Sequence, residues 1–214
     1  MISNLLTRIL SSIIIIPSAF FFILKGGYYL NFFLIICLIF TLFEWNNMTI
    51  DSLKKNLGYI FIFFSFYSAY KFVILENNNE NTIFNFTILV LICMYTDMGG
   101  YIFGKILKGP KLTKISPNKT YAGVFGGFFC STIFLYLTIN LLNYFNNIVL
   151  NLSLKNFLLI LFISLISQIG DLIVSYFKRL SNIKNTGNLI PGHGGILDRI
   201  DGMIFVFPVA FILN

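Results

Sequence analysis

The chain has 214 residues, of which 57% are hydrophobic and only 11% are charged, with a formal net charge of +7. Soluble domains are usually about 45–50% apolar and about 25% charged, so this composition excludes an ordinary water-soluble globule. It also excludes a disordered chain, because disorder requires low hydrophobicity, and it leaves an integral membrane protein.

Seven apolar stretches have roughly the length that an α-helix needs to cross a membrane. In chain order they cover residues 9–24, 27–43, 57–75, 82–103, 121–142, 157–177 and 200–213. The first lacks a clear small-residue cleavage site, and another apolar stretch follows at once, so we expect a retained helix rather than a signal peptide. The last is short, so it must use residues before Asp201 or lie buried within the protein. We predict an all-α polytopic membrane protein with about seven transmembrane helices.

Lysine and arginine in the short loops predict the orientation of these helices. If the seven stretches alternate in direction, twelve of the fifteen basic residues fall on one side, and only Lys25, Lys71 and Lys155 fall on the other. Basic loops usually face the cytoplasm, so the N-terminus is predicted to be cytoplasmic. Most of the net charge is then a topology signal, and no nucleic-acid partner is expected.

Two segments on the predicted cytoplasmic side are rich in glycine and polar residues. The first runs from Thr96-Asp97-Met98-Gly99-Gly100 to Lys105 and on to Ser116-Pro117-Asn118-Lys119-Thr120. The second runs from Asp171 through Ser175 and Lys178-Arg179 to Pro191-Gly192-His193-Gly194-Gly195-Ile196-Leu197-Asp198-Arg199-Ile200-Asp201. Neither segment is the plain connector that a membrane anchor would need.

The second segment has the residue types of a phosphoryl- or nucleotidyl-transfer site. Asp171, Ser175 and Lys178 share one face of a helix, and Asp198 and Asp201 can converge at a spacing of three. Three carboxylates near a membrane boundary repel one another, and Mg²⁺ would relieve that repulsion. Nearby basic residues would then bind phosphate groups: Lys178, Arg179, Lys184 and Arg199.

Simpler interpretations stay open for part of this segment. Asp198, Arg199 and Asp201 could form a solvated cluster at the membrane interface. His193 could serve only to hydrogen-bond its neighbours. Asp171 is harder to explain in this way, because an acid inside or at the end of an apolar stretch usually has a function.

Three further features have structural interpretations. Glu44, followed by Trp45, ends the second apolar stretch and could be an interfacial anchor. The glycines at 123–127 are typical of helix packing. The run from Gly99 to Lys105 fits G-x-x-x-x-G-K, but Ile106 stands where a phosphate-binding loop needs Ser or Thr, and no strand precedes it, so we exclude that motif.

The second segment resembles the signature of phosphatidate cytidylyltransferases, also called CDP-diglyceride synthetases. The resemblance rests on Ser175-Tyr176-Phe177-Lys178-Arg179, on Lys184, and on the run from Leu189-Ile190-Pro191 to Asp201. Asp97-x-Gly-Gly-Tyr-x-Phe-Gly-Lys and Ser116-Pro-x-Lys-Thr are similar to an earlier loop of the same family. The similarity covers about residues 96–213, whereas the first 45 residues match loosely through Arg8 and Glu44-Trp45.

This resemblance implies the reaction CTP + phosphatidic acid → CDP-diacylglycerol + pyrophosphate, a step of phospholipid biosynthesis. It implies a homodimer in the cell (inner) membrane, surrounded by membrane lipid, with an active site that faces the cytoplasm and depends on Mg²⁺ and, in some members, K⁺. The family's metal-binding acids fall on Asp171, Asp198 and Asp201, and catalytic roles also fall on Lys178 and Arg179. Substrate-binding roles fall on a further set of polar residues: Asp97, Lys105, Ser116, Lys119, Ser175, Lys184, His193 and Arg199. Residues 96–214 would then form the catalytic transmembrane region, and residues 1–95 a scaffold and dimer region.

Two departures from the family pattern bear on these expectations. Asn185 stands where the family usually has Asp, which puts any role for a carboxylate there in doubt. The chain is also shortened relative to the family and lacks one or two spans between Glu44 and Asp97. This loss lies outside the motif half, so we expect catalysis to survive.

Three alternatives to this function are compatible with a polytopic membrane protein. A transporter or channel would use acids such as Asp97 and Asp171 along a cation path, but it predicts acids spread along several spans near the bilayer midplane. An inactive relative is disfavoured because every other acid of the motif is present. A CDP-alcohol phosphotransferase would share the lipid context, but its spaced Asp-Gly…Ala-Arg…Asp pattern is absent from the sequence.

Overall fold

A computed structural model of the chain describes residues 2–48, 50–74, 80–113, 116–146, 153–192 and 194–213. Helices account for most of this part of the chain, which contains two isolated β-bridges and no longer strand. The helices are α1 (Ile2–Lys25), α2 (Gly27–Asn47), α3 (Ser52–Ile74), α4 (Glu80–Leu107), α5 (Tyr121–Asn146), α6 (Leu154–Leu180), α7 (Leu197–Ile200) and α8 (Met203–Leu213). The predicted all-α fold is therefore confirmed.

The first six predicted apolar stretches overlap α1 to α6 in order. Within the described residues, four helical segments are long and apolar enough to cross a membrane: Gly27–Asn47, Ile83–Leu107, Tyr121–Asn143 and Leu154–Leu180. The segment Ser11–Lys25 of α1 is apolar but shorter. The chain is thus a multi-pass membrane protein in which four spans are supported by length and composition.

The seventh predicted stretch is broken into two helices. α7 ends at Ile200 and α8 begins at Met203, with Asp201 and Gly202 between them. The 11 residues of α8 extend about 16 Å, roughly half of a hydrocarbon core about 30 Å thick. α8 packs against α3 and α6, and all its side chains except Ile212 and Leu213 are buried or half-buried. The short final stretch is therefore enclosed by protein, which was one of the two expected solutions.

A proline inside α8 is accommodated by α3. Pro208 has no N–H, so the carbonyl of Ile204 one turn earlier lacks its usual helical partner. The hydroxyl of Ser65 on α3 donates to that carbonyl at 2.6 Å, and Ser65 is fully buried. Because an unpaired carbonyl is costly in an apolar interior, this bond stabilises the contact between α3 and α8.

α4 and α5 pack closely through glycines. A Cβ atom at Gly99 would clash with the carbonyl of Gly126, and a Cβ atom at Gly126 would clash with the side chain of Phe103. The predicted packing role of the glycines at 123–127 is therefore confirmed. The G-x-x-x-x-G-K match that ends at Lys105 lies inside α4 and is not a phosphate-binding loop. This close approach places the end of α4 beside the start of α5, where the candidate site lies.

Candidate active site

Three aspartates from separate parts of the chain come together beside the C-terminal halves of α4 and α6. We call them the acid cluster: Asp97 on α4, Asp171 on α6 and Asp201 between α7 and α8. Asp171 and Asp201 are close enough to interact electrostatically, and Asp97 is close enough for electrostatic repulsion with both. Arg199 lies within electrostatic reach of Asp97. Carboxylates this close together favour the binding of a cation, since like charges destabilise one another.

The loop between α4 and α5 brings a lysine to the acid cluster. Lys111 and Thr120 form an antiparallel bridge, and the carbonyl of Ser116 accepts a hydrogen bond from the N–H of Lys119 at 3.0 Å. This turn places Lys119 Nζ 2.5 Å from Asp171 Oδ2. The two side chains are 24% and 28% exposed, so a phosphate group can reach this lysine from solvent.

The predicted polar face of α6 is confirmed. Ser175 Oγ donates to Asp171 Oδ1 at 3.2 Å. One turn further on, Lys178 Nζ lies 2.8 Å from Asp198 Oδ1 and 4.0 Å from Asp201 Oδ2. Lys178 is buried, so its ammonium group is held mainly by these protein carboxylates.

Asp198 is bound by protein donors through both of its oxygens. Oδ1 pairs with Lys178, while Oδ2 accepts from the N–H groups of Thr186 and Gly195 at 2.8 and 3.0 Å and from the Thr186 hydroxyl at 3.1 Å. Burial by itself raises the pKa of Asp198, but the hydrogen bonds from Lys178 and the two backbone N–H groups lower the pKa below its ordinary value. The alternative of a solvated interfacial cluster is wrong for Asp198 and Asp201, whose side chains are 6% and 10% exposed.

Residues 186–196, the second part of the loop between α6 and α7, are here called the motif loop. This loop folds back on itself next to Asp198. Ile190 and Gly194 exchange two backbone hydrogen bonds of 2.9 and 3.2 Å. Gly194 has φ +89°, and a Cβ atom there would lie 2.6 Å from Asp198 Oδ2, so only glycine fits. His193 lies outside the described residues, and its substrate-binding role stays a prediction.

The donor chemistry of the acid cluster suits a hard divalent cation. Carboxylate oxygens are the side-chain ligands that Mg²⁺ prefers, and Asp171 and Asp201 already approach each other. No three acid, thiol or imidazole side chains in the described part of the chain stand close enough to count as a formed metal site. Asp198, the third predicted ligand, could bind a cation only by giving up part of its bonding to Lys178 and the motif loop.

A scan against protein families and a comparison with curated proteins give one answer. A model described as the cytidylyltransferase family matches residues 50–214. The chain belongs to this family. A protein named phosphatidate cytidylyltransferase from Rickettsia bellii is 36% identical over 217 aligned residues, which cover 99% of this chain and 91% of that protein. Proteins of the same name from Staphylococcus aureus and Staphylococcus haemolyticus are 44% and 43% identical over 124 residues, which cover 58% of this chain and 46% of each relative.

Some residues with predicted roles in the cytidylyltransferase reaction make other contacts. The ammonium group of Lys105 lies 5.5 Å from the ring centroid of Tyr101. Arg179 donates to the carbonyl of Ile183 at 3.1 Å, beyond the end of α6, and Lys184 is exposed in the loop that follows. All three are accessible from solvent, and their roles toward substrate stay predictions.

Sequence reasoning missed the part played by Glu44. This residue is 1% exposed, and its carboxylate accepts hydrogen bonds from the N–H groups of Ile196 and Leu197, both at 2.8 Å, and from Thr186 Oγ1 at 2.7 Å. The interpretation as an interfacial anchor is therefore wrong. One signal could have pointed to this contact: Glu44 ends its helix on the same predicted side as the motif loop.

The family match begins at residue 50, so α1 and α2 lie before it. Both of these helices nevertheless contact the motif loop. Besides Glu44 on α2, Ser11 on α1 donates to the carbonyl of Pro191 at 3.0 Å. The division into a scaffold of residues 1–95 and a catalytic region of residues 96–214 stays a prediction, and the first region helps to shape the site in the second.

Proposed function

We propose that this chain is a phosphatidate cytidylyltransferase, which converts CTP and phosphatidic acid into CDP-diacylglycerol and pyrophosphate. The observation that carries this conclusion is the acid cluster with Lys119, Lys178 and Arg199 around it in a multi-pass membrane protein of the cytidylyltransferase family. The names of the relatives supply the two substrates. Acids and bases gathered at one end of the helices favour this reaction over a cation channel.

The reaction is a direct displacement at phosphorus. An oxygen of the phosphatidate phosphate attacks the α-phosphorus of CTP, a new P–O bond forms, and the bond to the β-phosphate oxygen breaks, so that pyrophosphate leaves. No protein nucleophile is needed, because the lipid phosphate is already one. Lys119 and Arg199, which border the acid cluster, would bind the negative phosphates, with Lys119 exchanging Asp171 for a phosphate oxygen. Lys178 would chiefly hold Asp198 and Asp201 in place.

Mg²⁺ is the cofactor that the acid cluster fits best. Asp171 and Asp201 would hold it, and Asp198 is the third predicted ligand. Bound there, Mg²⁺ would neutralise the charge that develops on the phosphates. A K⁺ ion, as the family resemblance implies, would need the same kind of oxygen donors. In either case Asp97 would add negative charge beside the site.

The same proposal extends to topology and assembly. Lys119 on the α4–α5 loop reaches Asp171 near the end of α6, so both motif segments lie at the same end of the bundle. This agrees with a cytoplasmic N-terminus, seven crossings or partial crossings and an active site that faces the cytoplasm. A homodimer in the inner membrane completes the proposal.

The test is the formation of CDP-diacylglycerol by the purified full-length chain in detergent micelles containing phosphatidate. With CTP and Mg²⁺ present we expect product and pyrophosphate, and chelation of Mg²⁺ should stop the reaction. Asp171→Asn removes one carboxylate of the acid cluster and should abolish turnover. The matched control is Asp51→Asn, since Asp51 is exposed and its carboxylate forms an ion pair with the nearby Lys54. A wild-type chain that forms no product, or an Asp171→Asn variant as active as the control, would contradict the proposal.

A further inference from the structure

We propose that Glu44 is a positioning residue, which holds the motif loop and α7 so that Asp198 and Asp201 keep their places beside Lys178. This inference rests on the proposed function, because it concerns the same site. Glu44 lies on α2 and precedes the segment that the family model matches. Within the described residues its hydrogen bonds go to Thr186, Ile196 and Leu197, so any effect on the aspartates of the site passes through these residues.

Glu44 supplies acceptors that the N-terminus of α7 otherwise lacks. The residue before α7, Ile196, provides no side-chain cap. The N–H groups of Ile196 and Leu197 would therefore lack partners inside the protein. Glu44 accepts from both, with one carboxylate oxygen each. An acid at this end of a helix also makes stronger hydrogen bonds than a neutral acceptor would.

Glu44 is also connected to Asp198 through Thr186. The hydroxyl of Thr186 lies 2.7 Å from Glu44 Oε2 and 3.1 Å from Asp198 Oδ2, so it is shared between the two carboxylates. Asp198 also follows Leu197 directly in the chain. Glu44 thus fixes Asp198 by two routes, through Thr186 and through the backbone of α7.

Two glycines of the motif loop leave space for the Glu44 carboxylate. A Cβ atom at Gly195 would clash with both Glu44 Oε2 and Thr186 Oγ1, and a Cβ atom at Gly187 would lie 3.0 Å from Glu44 Oε1. The motif loop therefore approaches Glu44 as closely as backbone can. Small residues on the loop and a long acid on α2 form a complementary pair.

The test compares Glu44→Gln and Thr186→Val, singly and together, in the full-length chain. Gln has nearly the size of Glu but turns one acceptor into a donor that faces backbone N–H or hydroxyl donors. We expect kcat for CDP-diacylglycerol formation to fall about 10–100-fold, the usual effect of losing an outer hydrogen-bond partner of a functional carboxylate. The KM for CTP should change less than kcat, because Lys119 lies on the α4–α5 loop and is untouched. The double variant should lose no more than the worse single variant, since both changes break one connected set of bonds.

Hydrogen exchange supplies a readout that does not depend on activity. Glu44→Gln should speed amide exchange in residues 186–198 and leave exchange in α4 and α5 unchanged. The control variant Asp51→Asn should leave exchange unchanged in all of these segments. A kcat within twofold of wild type in folded Glu44→Gln, unchanged exchange in the motif loop, or strictly additive losses in the double variant would each overturn the positioning role. An inactive wild-type chain would instead count against the proposed function, and the exchange experiment would still decide whether Glu44 holds the loop.

Discussion

Lys178 connects α6 to the two aspartates that follow the motif loop, Asp198 and Asp201. It extends from α6, and its ammonium group lies 2.8 Å from one oxygen of Asp198 and 4.0 Å from one oxygen of Asp201. All three side chains are at most 10% exposed. The ammonium group of Lys178 therefore balances the negative charges of two buried aspartates.

Replacing Lys178 with Met should lower stability as well as activity. The change leaves Asp198 and Asp201 buried without their cation, and removal of one partner of a buried ion pair typically costs about 3–5 kcal/mol. Thermal unfolding in detergent, followed by circular dichroism, measures the loss as a fall in Tm.

A second Lys–Asp pair in the chain provides the matched control. Lys54 Nζ lies 2.7 Å from Asp51 Oδ2, nearly the same distance, but the side chains are 44% and 74% exposed. Lys54→Met should leave Tm unchanged, because water and salt screen an exposed pair. Equal Tm values for the two variants would show that burial of the Lys178 pair has no energetic consequence.

Among the elements, α8 depends on α3 in a way that its own sequence does not reveal. Pro208 leaves a helical carbonyl without a donor, and Ser65 supplies that donor from a different helix. The position of α8 matters because Asp201 lies two residues before it.

Ser65→Ala should therefore destabilise the protein by about 1–3 kcal/mol, the cost of leaving a buried carbonyl unpaired. Tm in detergent is again the measurement. In a Pro208→Ala background the helix regains the missing N–H, so the same serine change should have a much smaller effect. A serine change that costs equally in both backgrounds would mean that the hydroxyl does not serve this carbonyl.

At the scale of the whole molecule, charge and helix order together predict which side of the membrane each loop faces. Lys111 lies in the α4–α5 loop, Lys155 lies at the start of α6, and both are exposed. α5 is the only helix that the structure describes between them, so the two positions should lie on opposite sides of the membrane. The basic α4–α5 loop is expected in the cytoplasm.

Single cysteines at these positions test the orientation. Lys155→Cys should react with a membrane-impermeant maleimide in intact cells, whereas Lys111→Cys should react only after the cells are permeabilised. The natural cysteines Cys37, Cys93 and Cys130 are buried, so the unaltered chain is the background control. Labelling in the reverse order would place the N-terminus outside.

The parts of the molecule that follow from local periodicity could be predicted from the sequence. Hydrophobic runs located α1 to α6, and the spacing of Asp171, Ser175 and Lys178 predicted one face of α6 correctly. Helical spacing fixes which side chains share a face, so such predictions need no knowledge of the rest of the fold.

The parts that depend on loop folding and on distant contacts could not be predicted. Glu44 and Thr186 are 142 residues apart, and no spacing rule relates them. Asp198 has the sequence setting of a metal ligand, yet backbone N–H groups of the motif loop occupy one of its oxygens. The close approach of the α7–α8 break to α6 likewise depends on a distant contact, since a Cβ atom at Gly202 would clash with Ser167 on α6.

The fit of Glu44 against Gly195 has a consequence for how related sequences can diverge. An acid at position 44 and any side chain larger than hydrogen at position 195 exclude each other sterically, while loss of the acid removes the reason for a glycine. The two positions should therefore covary across evolution, with Thr186 changing in the same lineages. A relative that keeps the motif loop but replaces Gly195 should also have replaced Glu44, so the N-terminal helices cannot be exchanged between distant members as an independent module.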